Sequence, residues 1–221
     1  MDRNVQRGAG ALFAAGGAAL FVTGLLHPRG DTGDSFHGAI SRMMLNSHWP
    51  AAHWLAIAAA VPTAWALWLL IDGGWTKTSG LAHAGARLTQ IGLAILTVEF
   101  AVEIASHAAA DAYAGGQAVP MVALVDPLQV IGFPAFGFGI GLLALGLRGS
   151  TPRALAVLAA LGGAVTGVGA VVTMGLHEPA AGATFMGLQL PTLWMVWAGV
   201  RLALSAKRVS LSPSLVETAA A

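Results

Sequence analysis

Six stretches of this sequence, each near the length a helix needs to cross a bilayer, carry almost no charge. Crossing the hydrocarbon core takes about 20 mostly apolar residues. The stretches lie at 8–27, 49–71, 84–109, 127–147, 153–176 and 182–204. None alternates apolar and polar residues as an outer-membrane strand does. The composition agrees: 56% of the 221 residues are hydrophobic and 10% charged. A soluble domain has about 25% charged residues to coat its surface. The chain therefore reads as an all-α integral membrane protein with six transmembrane helices, formed by residues 1–208. A short, mobile tail follows at 209–221.

The first stretch has the look of a signal peptide, because Arg3 and Arg7 precede it. It is long enough to span, and no convincing cleavage site follows, so it reads as a helix. Positive charge then orients the bundle. Arg3, Arg7, Lys77, Arg87, Arg148, Arg153, Arg201, Lys207 and Arg208 fall on one side, and only Arg29 and Arg42 on the other. The positive-inside rule places the first group, and both termini, in the cytoplasm. The expected location is the cell (inner) membrane, with multiple passes. A net charge of +1 offers no basic surface for nucleic acid.

The sequence repeats itself. Residues 48–68 align without a gap to 177–197: His48, Pro50, Pro62, Thr63, Trp65 and Trp68 match His177, Pro179, Pro191, Thr192, Trp194 and Trp197. Helices 1–2 and 5–6 thus read as copies of one hairpin, with helices 3–4 a worn third copy that opens on Asp126-Pro127 and carries Pro134. Pro50, Pro127 and Pro179 suit the first turn of a helix. Pro62, Pro134 and Pro191 lie inside spans, where each kinks the helix and frees a carbonyl. Thr63 and Thr192 are candidates to satisfy the freed carbonyls. The Trp pairs read as packing and interfacial anchors.

There is no Cys, which removes disulfides, iron–sulfur clusters, c-type haem and thiol catalysis. Any metal must use His, carboxylate or Met ligands. Six of the seven His (His27, His37, His48, His53, His107 and His177) fall on the outer side in this topology, leaving His83 alone on the cytoplasmic side. In the third span Glu99, Glu103, His107 and Asp111 recur every four residues, forming one stripe on the helix. Carboxylates inside a membrane are costly, face the bundle interior, and by default suggest function.

Three readings of this cluster compete. One is a cofactor site. His48 and His177 offer two repeat-related axial ligands to haem b, with Arg29 and Arg42 placed to pair with propionates. Alternatively His27, His48, His53, His107 and His177, with Glu103, hold a mononuclear zinc, copper or iron ion. Glu99 and Glu103 are the catalytic candidates, Glu103 orienting His107 or binding metal and Glu99 passing protons. The second reading is a small proton-coupled carrier or an accessory subunit, with no cofactor. The third is structural, with His bonded to free helix-end carbonyls. Fragments of a hydrolase triad (Asp34, Ser35 and His37) lack a nucleophile elbow, and Tyr113 reads as an interfacial anchor. The overall expectation is membrane electron transfer or oxidoreduction at an outer-side site, in contact with lipid and with a redox partner or a second copy. A reporter fused after Ala221 is expected to read as cytoplasmic; a periplasmic signal overturns the orientation.

Overall fold

A computed structural model describes residues 2–30 and 35–208, and side chains up to 205. The expected mobile tail at 209–221, and Asp34 of the triad fragments, lie outside the described residues. Among the described residues every regular element is helical. The elements are α1 (Arg3–Leu26), α2 (Phe36–Met44), α3 (Trp49–Asp72), α4 (Gly80–His107), α5 (Ala110–Ala114), α6 (Val122–Gly146), α7 (Arg153–Ala170) and α8 (Gln189–Arg208). A π-helical turn, Val171–Gly175, continues α7, and a 3-10 helix, Pro179–Leu188, leads into α8.

Among the described residues five helices are long and apolar enough to cross a membrane: Arg3–Leu26, Trp49–Asp72, Gly80–His107, Val122–Gly146 and Arg153–Gly175. The sixth stretch, expected at 182–204, does not form one such helix. Its first residues wind as 3-10, and the α-helix that follows carries Arg201, Lys207 and Arg208. Around the bundle the packing order is α1, α3, α4, α6, α7 and α8, and α8 closes the ring on α1. Phe13, Leu67, Leu93, Phe136, Ile140, Trp194 and Met195 are among the buried core. The short helices α2 and α5 pack on each other near a second small cluster of Met44, Trp49 and Ala110.

Small residues set the spacing of this ring. A methyl group on Gly137 of α6 would overlap the Gly163 carbonyl of α7, and one on Gly163 would overlap that of Gly137. The two backbones touch there, as membrane packing with small residues permits.

Two details differ from the sequence reading. Helix α6 begins at Val122, so Pro127 lies inside it beside Pro134 rather than in its first turn. Thr63 and Thr192 donate to Ala59 O (2.7 Å) and Leu188 O (3.1 Å), each four residues back. The carbonyl freed by Pro62 is that of Ala58, one position earlier, whereas Pro191 stands in the first turn of α8 rather than inside a span, and the Gly187 carbonyl accepts from Gln189 N–H. The matched tryptophans also differ in setting: Trp65 is 57% exposed, whereas Trp194 is fully buried.

Overpacking a close helix contact costs about 1–3 kcal/mol. Gly137→Ala is expected to lower stability by that order in detergent unfolding, whereas Gly8→Ala, which meets nothing within 4 Å, is not.

Candidate metal centre

The centre starts from Pro28. A residue before proline is pushed out of the helical region, and His27 is extended, at φ −61° and ψ 126°. Helix α1 ends there, and the His27 ring packs against α3, 5.3 Å from Trp49 and 4.9 Å from His53, centroid to centroid. His53 lies one turn into α3 and is buried. Glu103 and Glu99 lie about one and two turns inward from the end of α4 at His107, and both are buried.

These residues meet. His27 Nε2 lies 3.3 Å from His53 Nε2, and His53 Nε2 lies 2.5 Å from Glu103 Oε2. One ligand atom from each of His27, His53 and Glu103 falls within 4.8 Å of the other two. No other group of three among the described His, Asp and Glu converges in this way.

The outer atoms of both rings are fixed by backbone. His27 Nδ1 lies 2.7 Å from Pro28 O, and His53 Nδ1 lies 2.6 Å from Trp49 O. A carbonyl only accepts, so each Nδ1 carries the hydrogen and donates it. In the neutral rings, both Nε2 atoms then present lone pairs inward. They face Glu103 Oε2, a third lone-pair atom. Three electron-rich atoms within 4.8 Å of one another need a proton or a metal ion between them. Two nitrogens on one ion at about 2.0–2.1 Å sit about 3.3 Å apart at a tetrahedral angle. The His27–His53 separation has that value. The His53–Glu103 distance is that of a shared proton, and ligation would open it by somewhat under 1 Å, within the reach of a side-chain torsion.

Gln129 of α6 completes the centre. Its Nε2 donates to Glu99 Oε1 at 2.7 Å and to Glu103 Oε1 at 3.2 Å. This leaves Glu103 Oε2 to face the imidazoles. The indole Nε1 of Trp49 donates to the backbone carbonyl of Glu103 at 3.2 Å, tying α3 to α4 beside the site. Glu99 Oε2 is buried and receives no N–H donor, and the Glu99 and Glu103 carboxyls bond to each other.

The other residues singled out from sequence lie apart from this group. His107 donates from Nδ1 to Met44 O, 2.7 Å away, and so anchors α2 on the end of α4. His48 is exposed at the start of α3. His177 stands at φ 56°, exposed, with Nε2 3.3 Å from Asp126 Oδ2 and its ring 4.5 Å from Phe36. Arg29 donates to Met186 Sδ at 3.2 Å. Arg42 lies exposed in the last turn of α2. Ser35 caps α2 by accepting from Gly38 N–H, and the His37 ring lies 4.4 Å from Tyr113. Burial, and then the nearby Asp126 carboxylate, push the Tyr113 phenol above its ordinary range.

Sequence reasoning missed Gln129. Its signal was present: apart from Asp126 it is the one polar side chain in α6, an otherwise apolar helix with two prolines. No protein-family model, curated protein or solved structure matches this chain.

Removing one partner of a buried ion pair costs about 3–5 kcal/mol, and replacing both with apolar residues costs far less. His53→Leu is therefore expected to destabilise the protein more than His53→Leu combined with Glu103→Leu. Denaturant unfolding of the three proteins in one detergent measures this; additive losses would show that the two side chains are not coupled.

Proposed function

We propose that this chain is a membrane protein that carries out oxidoreduction at one divalent transition-metal ion, held by His27, His53 and Glu103. The observation that carries the reading is that two Nε2 atoms, whose rings are oriented by backbone carbonyls, and one carboxylate oxygen lie within 4.8 Å of one another. Two His and one carboxylate, with further positions open, suit a non-haem iron(II) centre, and a related set holds catalytic zinc. The surrounding bonds also fit. Each imidazole donates its other nitrogen to a carbonyl, and the carboxylate's other oxygen accepts from Gln129, as ligating His and carboxylate groups do around metals. Glu99, bonded to Gln129 and to Glu103 beside the centre, is the group that would accept or deliver a proton.

Haem b between His48 and His177 has less support. Both residues are exposed, and His177 is engaged by Asp126 and Phe36. The wider frame belongs to the same proposal: six spans with α8 as the last, both termini cytoplasmic, and related hairpins α1–α3 and α7–α8. In its support, α8 closes the ring on α1, each hairpin packs as neighbours, and Thr63 and Thr192 make equivalent bonds.

Protein purified after metal-replete expression is expected to hold one metal ion per chain by elemental analysis. His27→Ala, His53→Ala and Glu103→Gln should each lose it, while His48→Ala and His177→Ala should keep it. A Soret band that disappears in His48→Ala or His177→Ala would overturn this reading in favour of haem.

A further inference from the structure

Immediately inward of the centre the bundle is not filled. A cavity there lets the centre of a water-sized sphere move through about 20 Å³. Leu20 of α1, Leu93, Leu96 and Phe100 of α4, Phe133 of α6 and Leu188 at the end of the 3-10 helix are among its walls, which are entirely apolar. It shares a wall with the centre: the Phe100 ring lies 5.9 Å from the His53 ring. Leu96 and Phe100 flank Glu99 along α4, and Phe133 follows Gln129 by one turn of α6.

The chemistry of the walls selects the occupant. A buried water needs about 2–4 polar partners, and an apolar cavity stays dry and takes up apolar ligands such as xenon. The volume is above the roughly 10–15 Å³ that one water-sized molecule requires. It is far below what an acyl chain or an aromatic ring system fills. A diatomic apolar gas meets both limits, and such gases enter hydrocarbon readily. We propose that this cavity is a holding site for a small apolar gas, of the class of dioxygen, beside the His27–His53–Glu103 centre. What the gas does there rests on the metal reading; whether it binds does not. The donor set and the ligand class together favour a redox-active ion over zinc.

Xenon is the probe. Full-length protein under xenon pressure, observed by crystallography or by xenon NMR in detergent, is expected to hold xenon among Leu93, Leu96 and Phe133. Leu188→Phe, which fills the cavity from its edge, should abolish the binding, and Phe133→Leu, which enlarges it, should increase the occupancy. The second variant keeps the test alive if the first fails to fold. In iron(II)-loaded protein, Leu188→Phe should keep the metal and slow its oxidation by dissolved oxygen several-fold. Wild-type protein without xenon in this cavity overturns the gas site whatever its metal content. Xenon bound in protein that takes up no metal overturns the metal reading and leaves the gas site standing. An unchanged oxidation rate in Leu188→Phe protein that has lost xenon overturns the assignment to dioxygen.

Discussion

The structure depends on how one carboxylate, Glu103, is accommodated inside an apolar bundle. An uncompensated charge there costs several kcal/mol, and the attraction of a partner offsets this only with good geometry and satisfied remaining lone pairs. Glu103 has both. One oxygen faces His53, the other accepts from Gln129, and its backbone carbonyl accepts from Trp49. Three helices, α3, α4 and α6, are bound to each other through this residue. The relative rotation of α4 within the ring is thereby set by polar bonds as well as by packing.

Each partner arrives by a local rule. Pro28 forces His27 out of the helix, which turns the chain at the level of His53. His53 folds back on the carbonyl of Trp49, one turn earlier in its own helix, which fixes both its ring and its tautomer. Gln129 is one of few neutral side chains that can donate two hydrogen bonds, and it spends them on two carboxylates. Together these rules aim acceptors inward and donors outward. The arrangement could hold a cation, either the shared proton of the His53–Glu103 pair or a metal ion.

The helical membrane architecture and the Glu99–Glu103 stripe were legible in the sequence, because both express a single period along one helix. The choice among the histidines was not. His107 continues the four-residue stripe, but it is at the last turn of α4, where the free carbonyl of Met44 captures its ring. His48 and His177 match in the repeat, but an aligned position does not fix an environment, as buried Trp194 and exposed Trp65 also show. Selecting His27 and His53 requires knowing how α1 crosses α3, and that crossing follows from contacts between helices. Gln129 carried no charge to attract notice, and its role exists only opposite two acids on another helix. The winding of the sixth apolar stretch was hidden for a similar reason: hydropathy does not distinguish the 3-10 winding of Pro179–Leu188 from an α-helix.

The cap at this end of the bundle bears on the strength of the centre. Helices α2 and α5 pack on each other, His107 holds Met44 of α2, and Trp49 lies buried between this cap and Glu103. His53 and Glu103 are buried beneath this cap, while His27 is partly exposed. With less solvent, the attraction between Glu103 and any cation grows, and so does the cost of leaving the carboxylate alone. A proton satisfies Glu103 and His53, but a single proton cannot also engage His27 at full strength, because its bond already lies along the 2.5 Å line between the other two. A metal ion can engage all three at once. On the metal reading proposed above His27 is the third ligand, and it is the residue that would distinguish a metal centre from a buried ion pair: an ion pair has no need of a second imidazole whose tautomer is set to point at it.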